Sequence, residues 1–107
     1  MKHVVVLVTC KNTRQAKRIA NALVAQHLVA CVNIVPRIES VYWWQGKVER
    51  SSEVLLIMKT TRIRFPAVVK RVKELHSYTV VEVIAIPIVA GNLAYMRWID
   101  ASVRHAV

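Results

Sequence analysis

The sequence predicts an α+β fold: two successive β-α-β units and a closing helix, with the strands in one four-stranded antiparallel sheet. Three observations carry this. Runs of β-branched and aliphatic residues alternate with segments whose apolar positions recur at helical spacing. One long stretch, Val29 to Thr60, holds two strand-like runs hinged at Gln45-Gly46, with Tyr42, Trp43 and Trp44 just before the hinge. Finally, no apolar run approaches the about 18 residues that a membrane-spanning helix needs. The longest, Val80 to Ala90, is broken by Glu82 and Pro87.

Each element has its own cause. Val4 to Val8 is continuously apolar and β-branched, which marks a central strand covered on both faces. Asn12 or Thr13 can then cap a helix by accepting from an early backbone N–H. Ala16, Ile19, Ala20, Leu23 and Val24 follow at the spacing of one helix face. Strand composition returns from Leu28 to Val35. Pro36, which cannot donate to a ladder, marks a bend or bulge before Ile38 to Trp44. Gln45-Gly46 supplies a tight hairpin turn, since glycine accepts a positive φ. Lys47 to Thr60 is the return arm. Phe65, Val68, Val69, Val72 and Leu75 define a second helix, with Pro66 where a first turn tolerates it. Val81 to Val89 reads as a strand whose far end is an edge or bulge at Pro87. After Gly91-Asn92, a short helix places Leu93, Met96 and Ile99 on one side. This order is ferredoxin-like: two helices cover one face of the sheet. The sheet segments are apolar on both alternating sets of positions, so other subunits are expected to cover the opposite face.

Composition agrees with an assembly. The 107 residues suffice for one domain, spanning 1–107. Their apolar fraction is 55%, above the roughly 45–50% of ordinary soluble domains, and burial between subunits accounts for the excess. The start, MKHVVVLVTCKN, has a basic beginning, a short apolar run and no small-residue cleavage site, so it reads as a strand. A cytoplasmic location with free thiols is expected, although the sequence leaves open whether Cys10 and Cys31 pair. The net charge of +10 is spread along the chain, with Arg14, Lys17 and Arg18 on one helix and Lys70, Arg71 and Lys73 on the other. Such a surface keeps an assembly soluble or attracts an anionic partner.

The ordered set of local motifs resembles the CutA divalent-cation tolerance family. The pieces are Val6-Leu7-Val8-Thr9, Ala30-Cys31-Val32-Asn33-Ile34-Val35-Pro36, Tyr42-Trp43-Trp44-Gln45-Gly46-Lys47 and Leu56-Ile57-Met58-Lys59-Thr60-Thr61. Further along are Arg64-Phe65-Pro66-Ala67, His76-Ser77-Tyr78, Glu82-Val83-Ile84-Ala85-Ile86-Pro87-Ile88, Gly91-Asn92, Tyr95 and Trp98. They run through almost the entire chain with no long insertion. The resemblance implies a homotrimer in which extended hairpin strands pair between neighbours, and a link to copper binding and the response to metal ions. Three positions depart from the family pattern. The segment His76 to Glu82 lacks the family's two prolines, Leu75-His76 keeps one imidazole where some members have two, and Val8 stands where some carry a thiol.

The metal candidates are therefore Cys10, at the end of the first strand, and His76, at the end of the second helix. Thiolate and imidazole suit copper or zinc, and these ends approach one another in a ferredoxin-like fold, with Met or solvent completing a site. The plainer reading is that Cys10 packs as a small hydrophobe while His76 bonds carbonyls at its helix end. No CxxC, HxxxH or Cys/His cluster is present. Cys31 reads as a core thiol; His27, at a helix C-terminus where positive charge is welcome, reads as a surface residue, as do His3 and His105. No catalytic triad or carboxylate pair stands out, so the chain does not read as an enzyme. Glu82, within an apolar strand, is expected to pair with an Arg or Lys. Trp43 and Trp44 point to opposite strand faces, one into a contact and the other into a cleft. Tyr95 and Trp98 can pack over that cleft, either as plain interface packing or as walls of a subunit-boundary pocket with Lys47, Lys59 or Arg97 nearby.

Two functional readings follow. One is a non-catalytic trimer that binds copper or a related metal ion. The other is a scaffold resembling the PII regulators, which bind anionic small molecules between subunits; the +10 charge favours it. Specific nucleic-acid binding finds little support, because Val4 to Val8 offers no aromatic for base stacking.

Overall fold

The computed structural model describes residues 2–104; His105 lies outside the described residues. The elements are β1 (His3–Cys10), α1 (Thr13–Ala25), β2 (Cys31–Trp44), β3 (Lys47–Thr61), α2 (Phe65–Leu75), β4 (Val83–Pro87) and α3 (Leu93–Val103). All strand pairs are antiparallel, in the order β2-β3-β1-β4. This is the expected α+β architecture, with β4 as an edge strand that tolerates Pro87.

Alternation on β1 builds the core. Val4, Val6, Val8 and Cys10 are buried against Ile19 and Leu23 of α1 and Val68 and Val72 of α2. Leu56 and Met58 of β3 lie in the same layer. Each such side chain contributes about 1.5–3 kcal/mol on burial. Asn12 is the cap of α1: its Oδ1 accepts from the Gln15 N–H at 2.9 Å. The helix ends in a Schellman motif, in which Leu28 N–H donates to Leu23 O and His27 N–H to Val24 O, both at 3.0 Å. His27 occupies the left-handed position usually held by glycine, with φ +57°.

The opposite face carries a cluster of apolar side chains beside His3, Asn33 and Lys59. Paired positions share a face, so Val5, Leu7, Ile57, Ile84 and Ile86 stand together on it. Ile84 and Ile86 are 48% and 46% exposed. The third helix, α3, contacts residues of this side. Its Tyr95 Oη lies 3.7 Å from Cys31 Sγ, and its Asp100 takes a 2.8 Å contact from His3 Nε2. His27 Nδ1 donates to Ser102 O at 2.9 Å. His3 and His27 are thus tertiary ties and not bare surface residues. Helix α3 also buries Ile99 and Val103 against Ala30.

Two strand boundaries differ from expectation. Strand β2 begins at Cys31, because Leu28 to Ala30 are held as a buried connection by Thr60 Oγ1 donating to Leu28 O (2.7 Å) and Ala30 N–H to Lys59 O (2.8 Å). Strand β4 begins at Val83, so Glu82 sits outside it and is exposed. The burial that would have forced an ion pair on Glu82 does not arise, and no such pair forms among the described residues.

The pairing of β1 with β3 stops at Cys10 opposite Val54. Beyond it, β3 continues to Lys47 with β2 alone, so the hairpin leaves the sheet as a two-stranded arm. A register shift between Val35 and Ile38 marks the departure, with Arg37 at φ +58° beside Pro36. The arm turns at Gln45 and Gly46, whose φ values of +51° and +77° make the primed turn that matches strand twist. The molecule spans 44 × 27 × 22 Å.

Candidate functional site

The end of β1 and the end of α2 meet, as the Cys10 and His76 reading requires. His76 Nε2 donates to Thr9 O at 2.7 Å, while its Nδ1 accepts from the Tyr78 N–H at 3.1 Å. Both ring nitrogens are thus engaged within the fold. Cys10 is buried, and burial together with the nearby Glu53 carboxylate pushes its thiol up to about 11. Soft and imidazole donors suit copper, but each is committed to the fold. Among the described residues, no group of three or more His, Cys, Asp or Glu is arranged to hold a metal ion. Cys10 and Cys31 are both free thiols, which settles the pairing that the sequence left open.

Beside this end lies an open cleft of about 860 Å³, between the arm and the segment 77–82. Glu39, Glu53 and Glu82 line it, together with Tyr42, Trp44 and Tyr78. Glu53 is 7% exposed, and Tyr78 Oη donates to its Oε2 at 2.8 Å. Burial and this bond push the Tyr78 phenol well above its ordinary range. The His76 and Tyr78 rings pack at 4.6 Å, tying the cleft to the β1 end. Sequence reasoning missed Glu53 and Tyr78 as a pair. A signal existed, since Glu53 directly precedes the apolar run Val54 to Met58; its partner stands 25 positions away and only the tertiary fold supplies it.

The aromatic expectations divide. Trp44 lines the cleft, while Trp43 is 75% exposed. Tyr95 and Trp98 pack against each other at 5.3 Å beside Cys31 and are not part of the cleft wall. Burial and the neighbouring Cys31 raise the Tyr95 phenol. Lys47, Lys59 and Arg97 do not reach the cleft either; Lys59 Nζ donates to Asn33 Oδ1. The cleft that Trp44 lines within one chain is therefore acidic. A separate basic cleft, lined by Lys11, Arg14 and Arg18, lies at the N-terminus of α1.

Known proteins share this fold. The family model described as CutA1 divalent ion tolerance protein matches residues 4–102. The Divalent-cation tolerance protein CutA of Thermus thermophilus is 50% identical over 95 residues, covering 89% of this chain and 92% of that protein. The chloroplastic Protein CutA 1 of Oryza sativa is 50% identical over 103 residues, 96% of this chain. This chain spans 58% of that rice protein and 51% of the human Protein CutA, to which it is 48% identical. The crystal structure of CutA1 from Oryza sativa superposes with a TM-score of 0.94 at 48% identity, covering 99% of this chain and 97% of the other. The structure of the periplasmic divalent cation tolerance protein CutA from Archaeoglobus fulgidus superposes at 0.92 with 42% identity, over 94% and 98% of the two chains. This chain belongs to the CutA1 divalent ion tolerance family.

Proposed function

We propose that this chain is a non-catalytic divalent-cation tolerance protein, one domain over residues 1–107, that works as a homotrimer and binds copper or a related metal ion in the cytoplasm. The family match over residues 4–102 carries the reading. The trimer is supported by an apolar sheet face with Ile84 and Ile86 exposed, and by a two-stranded arm that bears an exposed Trp43. An isolated two-stranded hairpin is marginal in water, and contiguous exposed apolar surface marks a contact. Two free thiols suit a reducing compartment.

Cys10 and His76 are the proposed donors. To ligate, Cys10 must lose a proton that its surroundings hold tightly, and His76 must turn Nε2 away from Thr9 O. The first demand makes binding dependent on pH, and the second adds a conformational cost. A bound ion would supply only charge and coordination; the residues orient and hold it. Titration of the purified oligomer with Cu(I), Cu(II) and Zn(II), beside Cys10→Ala and His76→Ala, tests the reading. Stoichiometric binding lost in either variant supports it, and absence of binding in the parent overturns it.

A second reading, an anionic small molecule bound as in a PII-like scaffold, is favoured by the basic cleft at Lys11, Arg14 and Arg18. Titration with inorganic phosphate, beside Arg14→Ala, separates it from the first.

A further inference from the structure

The acidic cleft has chemistry of its own. Three of the six carboxylates in this +10 chain, Glu39, Glu53 and Glu82, line it. None of them forms an ion pair among the described residues, whereas Asp100 and Glu74 do. Glu53 is more than nine-tenths buried and meets no cation there. A buried carboxylate without a countercharge is costly. Tyr78 serves its Oε2, no hydrogen bond to Oε1 is found among the described residues, and Glu53 lines the cleft.

The walls select the kind of cation. The carboxylates do not form a group that could hold one metal ion among the described residues. A cavity of about 860 Å³ is in the range of small-molecule sites. Tyr42, Trp44 and Tyr78 add aromatic surface, which attracts alkylammonium groups and covers their methylene chains. We infer that this cleft binds an aliphatic amine with two or more ammonium groups, one of them held by Glu53. The site goes beyond metal tolerance and uses neither Cys10 nor His76 as a ligand. Because the protein as a whole repels cations, saturable binding of such an amine has to come from a local site.

Calorimetric titration of the purified oligomer with spermidine, in about 150 mM salt to screen diffuse charge, tests this. One spermidine per chain is expected, with no response to 1,4-butanediol. Glu53→Gln, whose amide oxygen can still accept from Tyr78, should weaken binding by about tenfold or more. Exposed Glu82→Gln should weaken it less, and provides a second measurement if Glu53→Gln folds poorly. Glu49→Gln, on the arm but outside the cleft, should change nothing. No saturable binding, as when a basic side chain of a second copy fills the cleft, overturns the inference. So does equal competition by magnesium at matched ionic strength, or affinity within about twofold of the parent in both cleft variants.

Discussion

Glu53 and Tyr78 show how one polar contact fastens two distant segments. Tyr78 Oη is the hydrogen-bond donor that the described residues offer to the buried Glu53 carboxylate. Tyr78→Phe should lower stability by about 1–3 kcal/mol in urea unfolding, because it leaves that charge without its donor. Cys10 makes a prediction in pH. Its folded value of about 11 lies above the ordinary thiol value of 9.0, so the folded chain keeps a proton that the unfolded chain releases. The resulting stability is fully present below pH 9 and is lost as pH rises toward 11, by about 2 kcal/mol. Cys10→Ala should flatten that slope in unfolding curves recorded from pH 8 to 11. Asp100 runs the other way. Burial works to raise its carboxyl, but contacts from His3 and Lys2 outweigh it and hold the group below its ordinary value. Its contribution is present at neutral pH and fades as the solution is acidified through that lowered value.

Local chemistry decides the elements. The arm depends on its turn, where Gly46 sits at φ +77° with nothing within 4 Å of an added Cβ. Gly46→Ala should therefore cost about 1 kcal/mol through backbone strain alone, with no steric clash. Gln45 holds the other left-handed position of a turn that favours asparagine. Gln45→Asn should raise the thermal midpoint, and the double variant Q45N/G46A measures whether the two effects are independent. Much of this level was legible in advance. The helical spacing of Ala16, Ile19, Ala20 and Leu23, the Asn12 cap and the Gln45-Gly46 turn all act between residues close in the chain. The start of β4 was misplaced because Val81 and Glu82 carry strand composition, while pairing with β1 runs only from Val83 to Pro87. Strand ends are set by a partner, and the partner is not local.

For the whole molecule, the exposed apolar face and the arm make one prediction about assembly. Sedimentation velocity should give three copies of the chain. Ile86→Glu places a charge on the edge-strand side of the exposed apolar patch and should shift the protein toward smaller species. Trp43→Glu should do the same from the arm. Thermal midpoints of the parent should rise with concentration, because association stabilises only the folded form.

The sequence by itself determined the element order, the sheet class, the hairpin, the surplus of apolar surface and the family resemblance, because each rests on periodicity, turn chemistry or motif order along the chain. Only the tertiary structure decided how the chemistry is distributed. It engaged both nitrogens of His76 and buried Cys10. It turned His3 and His27 into ties to α3, moved Tyr95 and Trp98 away from the cleft, and gathered Glu39, Glu53 and Glu82 beside Tyr78. The physical reason is range. Backbone preference acts over a few residues, whereas proton affinity, burial and charge pairing depend on groups that only folding brings within a few ångströms.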